Sequence, residues 1–189
     1  MTIPRLLLIS GSTREGSTNS AALRTIAADA GSDFTADLYA DLLALPPFVP
    51  GTDPEPVAVA ELHRQLGAAD AVLFCTPEYA GMIPGSLENL LEWTIGNADL
   101  SEKPVAYVNV AYEGCGEAAV ATLRTVVGYA GAEIVEAACE RITVVPSDIG
   151  PDGLVADLAL RTRLAAAARA LAKHAAHPAA TATSIQLDN

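Results

Sequence analysis

The sequence is poor in basic side chains, and this scarcity limits the partners that the protein can have. Eleven Lys and Arg stand against 23 Asp and Glu in 189 residues, which gives a formal net charge of −12. A chain this acidic repels polyanions such as nucleic acid and the surfaces of anionic membranes. We therefore predict no nucleic-acid partner and no membrane partner.

Cysteine and long apolar stretches are also scarce. Cys75, Cys115 and Cys139 form no CxxC pair, and the sequence shows no metal-ligand spacing. This usage suits a reducing compartment better than a disulfide framework. The apolar run Leu6–Ile9 is too short for a signal-peptide core, and no stretch approaches the roughly 20 apolar residues of a membrane span. The sequence predicts a soluble, cytoplasmic protein without a bound metal.

The chain nevertheless has ample material for a core, since 51% of its residues are hydrophobic and only 18% are charged. Its length fits one domain. We predict a single domain over residues 1–175, followed at 176–189 by a flexible tail rich in Ala and Thr.

Apolar runs alternate with helical patterns along this domain, which predicts an α/β fold. Continuous apolar runs are typical of buried parallel strands. The predicted strands are Arg5–Ser10, Phe34–Tyr39, Ala71–Cys75, Val105–Val110 and a stretch within Glu133–Val145. The predicted helices are Asn19–Ala30, one that starts at Pro84, one around Val120–Ala130, and Leu154–Lys173, in which Asp157 and Arg161 have the spacing of an i,i+4 pair.

The loop after the first predicted strand has the composition of a phosphate site. It reads Gly11-Ser-Thr-Arg-Glu-Gly-Ser-Thr-Asn19. Backbone N–H groups, the hydroxyls of Ser12, Thr13, Ser17 and Thr18, and the Arg14 guanidinium can all donate to a phosphate at a helix N-terminus. The alternative is a Ser/Thr-rich helix cap without a ligand.

Two better-known phosphate loops do not match this segment. The GxGxxG pattern fails at Ser12 and Thr13, and the GxxxxGK[ST] pattern has Ser17 where it needs Lys. Without that lysine, and without an acidic residue directly after the third strand to hold magnesium, hydrolysis of ATP or GTP is disfavoured. The loop favours a monophosphate.

Two further loops follow predicted strands and so reach the same edge of the sheet. The second reads Thr76-Pro-Glu-Tyr-Ala-Gly-Met-Ile-Pro-Gly85, and the third contains Tyr112-Glu-Gly-Cys-Gly116. Proline stiffens such a loop, and glycine lets its backbone approach a ligand closely. We expect the three loops to form one binding site.

Taken together, the first two loops and the following Ser-Leu-Glu-Asn-Leu-Leu-Glu-Trp93 resemble the NADPH-dependent FMN reductase family of flavodoxin-like proteins, which includes quinone, chromate and azo-dye reductases. The resemblance implies a doubly wound parallel sheet of order 2-1-3-4-5 with helices on both faces, non-covalent FMN, and a homodimer or tetramer. It implies that Ser12, Thr13, Arg14, Ser17, Thr18 and Asn19 bind the FMN phosphate. It places Pro77, Glu78, Tyr79, Ala80 and Gly81, together with Ala111, Gly114 and Gly116, against the flavin ring.

The function implied is an FMN-dependent NAD(P)H oxidoreductase that passes a hydride from NADPH or NADH through FMN to a small acceptor such as a quinone. Because the flavin carries the chemistry, no catalytic side chain is predicted. His63, His174 and His177 all fall outside the three loops. Two alternatives stay open: a flavodoxin-type electron carrier without its own NAD(P)H turnover, which the acidic charge favours, and a flavin-free fold used only for assembly.

The sequence departs from the family pattern in the third loop, at Tyr112 and Glu113, and at three positions of the second loop and the helix after it. Relatives commonly have Asn where Ala80 stands, and often have Lys at Glu88 and Asp at Glu92. The loss of the Asn amide leaves the second loop to contact a flavin through its backbone. The Glu88 change reverses a charge on a helix that, in relatives, packs near the partner subunit.

Overall fold

The structure is a computed structural model and describes residues 2–177. Met1 and residues 178–189, which include most of the predicted tail, lie outside the described residues. The strands are β1 (Arg5–Ser10), β2 (Thr35–Leu38), β3 (Ala71–Cys75), β4 (Pro104–Asn109), β5 (Glu133–Ile134) and β6 (Glu140–Arg141). The helices are α1 (Thr18–Ala28), α2 (Val57–Ala68), α3 (Gly85–Ile95), α4 (Glu117–Tyr129) and α5 (Leu158–Ala176).

The sheet is parallel and has the order β2-β1-β3-β4-β5, which confirms the predicted flavodoxin-like order. Its central strand β3 is buried along its whole length because helices cover both faces. Successive side chains of β1 point to opposite faces: Leu6 and Leu8 pack with α1 and α5, whereas Leu7 and Ile9 pack with α2, α3 and α4. Helix α2 is an addition to the helices predicted from the sequence.

The structure has two short strands, β5 and β6, where the sequence predicts one strand within Glu133–Val145. β5 and β6 both pair with β4, and a short 3-10 turn at Glu136–Ala138 separates them. Five residues lie between Ile134 and Glu140, but only two lie between their partners Val105 and Val108, so the surplus residues must leave the sheet. Ala138 is fully buried in the same core cluster as residues of α5.

Helix α5 starts later than predicted, and the expected Asp157–Arg161 pair is wrong. Asp157 is the N-cap residue, and its carboxylate accepts a hydrogen bond from the Leu160 N–H at 2.9 Å. Arg161 instead pairs with Asp29 at the end of α1, and this hydrogen bond lowers the pKa of Asp29. The ion pair ties α5 to α1 across one face of the sheet. Within residues 2–177, no helix is long and apolar enough to cross a membrane.

Candidate functional site

The three loops predicted to bind a ligand meet at the carboxyl ends of β1, β3 and β4, where they surround an open cleft of about 500 Å³. The predicted residues that line the cleft are Ser12, Arg14, Ser17, Thr18, Asn19, Pro77, Glu78, Tyr79, Ala111 and Gly116. Lining residues that the prediction did not name are Thr76, Val110, Tyr112, Cys115, Val144 and Pro146. The volume is within the usual range for small-molecule and cofactor sites, about 300 to 1,000 Å³.

Four of the predicted residues do not line this cleft. Thr13 lines a neighbouring cleft on the β2 side of the first loop. Ala80 and Gly81 form the tip of a turn, and Gly114 lies in the third loop without reaching the cleft wall. These positions shape the loops instead of lining the cleft.

The first loop presents unpaired donors at the N-terminus of α1. Ser17 caps the helix, and its hydroxyl oxygen accepts a hydrogen bond from the Asn19 N–H at 3.2 Å. Within the described part of the chain, the N–H groups of Thr13, Gly16 and Ser17 have no acceptor. Unpaired N–H groups at a helix N-terminus are suited to bind an anion. This loop can therefore hold a phosphate.

Two contacts hold the first loop against the end of β3. A Cβ added at Gly11 would lie 2.2 Å from Thr76 Oγ1. Only glycine therefore allows the first loop to approach the end of β3 this closely. The Cys75 thiol donates to Asn19 Oδ1 at 3.3 Å. Complete burial raises the pKa of Cys75 and so keeps the thiol protonated. The protonated thiol can then donate to the Asn19 side chain and orient its amide.

The second loop contains a tight turn that explains its sequence. Tyr79 and Met82 exchange two backbone hydrogen bonds, of 2.9 and 3.0 Å, across Ala80 and Gly81. Ala80 has φ +52° and Gly81 has φ +75°, the backbone of a type I′ turn, for which Asn-Gly is the preferred sequence. The turn leaves Tyr79 half exposed at the wall of the cleft.

Glu78 joins the second loop to α4. Its Oε2 accepts hydrogen bonds from the N–H groups of Ala118 at 3.0 Å and Ala119 at 3.2 Å, in the first turn of that helix. A carboxylate in this position is stabilised by the helix dipole. The carboxylate therefore has a structural partner, and the geometry assigns it no acid role.

The third loop is held from below by the last residue of β4. Asn109 is buried, its Oδ1 accepts from the Ala111 N–H at 3.0 Å, and its Nδ2 donates to the Cys115 carbonyl at 3.3 Å. Gly116 has φ +79°, and a Cβ at this position would lie 2.8 Å from the Asn109 amide. Gly116 therefore serves the loop through its conformation and its close approach to Asn109.

Arg141, at the end of β6, holds the third loop from the side. Its guanidinium donates to the carbonyl oxygens of Tyr112 at 3.0 Å and Cys115 at 2.9 Å, and to Glu117 Oε1 at 2.7 Å. Sequence reasoning missed both Arg141 and Asn109. The available signal was their position, since each one ends a strand at the edge where ligands bind in parallel sheets.

The residues present fit FMN. Hydroxyls, free N–H groups and Arg14 at the first loop suit a phosphate, and the remaining walls are largely apolar or aromatic, as a flat ring requires. Comparison with known proteins agrees: residues 4–139 match the model of the family described as NADPH-dependent FMN reductase. The chain belongs to this family. It is therefore an oxidoreductase of the class that uses FMN and NAD(P)H.

Individual relatives are similar to this chain in sequence, and one solved structure has the same fold. A 2-hydroxy-1,4-benzoquinone reductase from Burkholderia sp is 32% identical over 130 residues, which are 66% of this chain and 70% of that protein. A quinone reductase from Escherichia coli K12 is 29% identical over 106 residues, 53% of this chain and 56% of the relative. The solved structure of FerB, a flavoenzyme NAD(P)H:(acceptor) oxidoreductase from Paracoccus denitrificans, superposes with a TM-score of 0.78 at 23% identity and covers 91% of this chain and 99% of FerB.

Proposed function

We propose that the protein transfers reducing equivalents from NAD(P)H through FMN to a small electrophile of the quinone class. The observation that carries the proposal is the cleft at the carboxyl edge, in which a phosphate loop stands beside apolar walls from two other loops. The quinone class is supported by the names of two relatives, the 2-hydroxy-1,4-benzoquinone reductase and the quinone reductase.

In this proposal the residues of the chain bind and orient the cofactor. Ser12, Arg14, Ser17, Thr18 and Asn19 would hold the phosphate of FMN, and residues of the second and third loops would hold its ring. When bound, FMN would supply the chemistry of hydride transfer between NAD(P)H and the acceptor. Glu78, the one carboxylate that lines the cleft, is engaged with the N-terminus of α4, so the protein contributes geometry instead of an acid or base.

The second candidate is an electron carrier of the flavodoxin type. The observation in its favour is the net charge of −12, which suits docking to a basic protein partner. The two candidates differ in one measurable property, because a carrier does not oxidise NAD(P)H with a small acceptor unless a second protein is present.

Oligomeric state and location are part of the proposal. A homodimer, or a tetramer built from dimers, would cover the apolar side chains of Tyr79 and Met82, which stand half exposed on the turn of the second loop. Light scattering coupled to size exclusion measures this state. The three free cysteines support the proposed cytoplasmic location.

The test combines a binding titration with turnover of the purified protein. We expect FMN to bind and NADPH oxidation to proceed with 1,4-benzoquinone in the absence of any other protein. Arg14→Ala should weaken FMN binding by about 1.5 to 3 kcal/mol, the scale of a hydrogen bond to a charged group. Arg64→Ala is the matched control, because Arg64 is exposed on α2 and pairs with Glu61.

Failure can take two forms with different meanings. A protein that takes up no FMN would overturn the proposal as a whole. A protein that binds FMN but oxidises no NAD(P)H with any small acceptor would favour the electron carrier.

A further inference from the structure

Among residues 2–177, most arginines are paired with a carboxylate, but two are not. The paired ones are Arg5, Arg64, Arg124, Arg141, Arg161, Arg163 and Arg169. Arg14 and Arg24 take part in no ion pair within residues 2–177. With 23 acidic residues in the chain, two guanidinium groups without such a partner mark a place suited to an external anion.

These two arginines line the same cleft, an open space of about 350 Å³ on the β2 side of the first loop. The hydroxyl residues Ser12, Thr13 and Ser20 also line it, and Glu15 is the one carboxylate in its wall. Arg24 Nη2 lies 3.5 Å from the Gly153 carbonyl oxygen, which is too long for a strong hydrogen bond. The guanidinium of Arg24 is therefore available to a ligand.

This second cleft adjoins the cleft that we propose for FMN, which is called the flavin cleft below. Ser12 and Arg14 line both, whereas Ser17, Thr18 and Asn19 line only the flavin cleft and Arg24 lines only the second. Arg24 therefore lies outside the set of residues that we propose to hold the FMN phosphate. Because the two clefts share Ser12 and Arg14, an extended ligand in one cleft lies next to the other.

The far wall of the second cleft is apolar. Leu38, Leu42 and Leu43 line it, and Leu43 is 75% exposed. An exposed leucine next to two unpaired arginines suits a ligand that carries a flat, weakly polar ring beside a phosphate.

We propose that the second cleft binds the adenosine end of NADPH, with Arg24 against the 2′-phosphate, so that Arg24 selects NADPH over NADH. The inference rests on the proposed function and adds to it the residue that distinguishes NADPH from NADH. In a protein whose overall field repels anions, a phosphomonoester dianion gains a charge-assisted hydrogen bond from the Arg24 guanidinium. NADH lacks this phosphate and gains little from Arg24.

The direct test is calorimetric titration of the FMN-loaded protein with adenosine 2′,5′-bisphosphate and with 5′-AMP. Arg24→Ala should weaken binding of the bisphosphate about tenfold or more, the range of a charged hydrogen bond. Binding of 5′-AMP should change less than about twofold, Arg24→Lys should keep part of the bisphosphate affinity, and Arg64→Ala should match the wild type.

Steady-state kinetics add a second readout. In Arg24→Ala the KM for NADPH should rise about tenfold, while the KM for NADH and the Kd for FMN stay within about twofold. Equal affinity of wild type and Arg24→Ala for the bisphosphate would overturn the inference. A tenfold rise in the Kd for FMN would also overturn it, since Arg24 would then serve the flavin phosphate. Either result leaves the proposed function intact as long as FMN binds and NAD(P)H is oxidised.

Discussion

At the residue scale, Ala80 adopts a backbone conformation that is costly for alanine. Its φ of +52° lies in the left-handed region, which costs an ordinary L-residue roughly 1 to 2 kcal/mol. Asn and Gly tolerate this region much better, which gives a physical reason why relatives commonly have Asn at this position. The departure from the family pattern therefore affects the stability of the second loop.

We predict that Ala80→Asn stabilises the protein by about 0.5 to 1 kcal/mol, because Asn relieves part of the left-handed cost. Urea unfolding measures the change in the free energy of unfolding. Ala121→Asn is the matched control: Ala121 is exposed within α4, where Asn is a poorer helix former, so this variant should be less stable than the wild type by about 0.5 kcal/mol. If both variants changed the free energy of unfolding in the same direction, the result would contradict the turn geometry.

At the element scale, the third loop depends on a strand that follows it by more than twenty residues. Arg141 of β6 contacts carbonyl oxygens of the loop and also Glu117 at the start of α4. These contacts fix the loop before a ligand arrives, and a loop that is already ordered loses less entropy on binding. The hydrogen bonds of Arg141 therefore join β6, the third loop and the start of α4 into one side of the cleft.

We predict that Arg141→Met raises the Kd for FMN about fivefold to tenfold, because the loop carbonyls lose a charged donor and the loop gains conformational freedom. A fluorescence titration of FMN measures the effect. Arg124→Met serves as the control, since Arg124 has a similar ion pair with Glu136 but, among the described residues, makes no hydrogen bond to the third loop. Affinity equal to that of the control variant would show that the loop keeps its shape without Arg141.

At the element scale, the sequence predicts the buried strands and the meeting of the three loops, but not the contacts between residues far apart in the chain. Runs such as Ala71–Cys75 predict buried strands because both faces of a parallel sheet are covered, and the meeting of the three loops follows from the parallel order. The contacts of Glu78 with α4 and of Arg141 with the third loop join residues 40 and 29 positions apart. No local pattern encodes such pairs, and the break between β5 and β6 is likewise set by pairing with β4.

At the scale of the whole molecule, the net charge and the local charges act in opposite directions on NADPH. The charge of −12 repels an anionic ligand over long distances, whereas Arg24 would attract the 2′-phosphate at contact. Salt separates the two effects, because the Debye length is about 10 Å at 0.1 M and about 30 Å at 0.01 M. Added salt therefore screens the long-range repulsion more than it screens a contact between a phosphate and an arginine.

We predict that the KM for NADPH falls when the ionic strength rises from about 0.01 to 0.15 M, because the screened field no longer opposes the approach of the nucleotide. The initial rate of NADPH oxidation at saturating 1,4-benzoquinone measures this KM. The KM for the quinone is the internal control, since a neutral acceptor should show no such dependence. If the KM for NADPH instead rises steadily with salt, attraction by the arginines of the second cleft outweighs the charge of the whole protein.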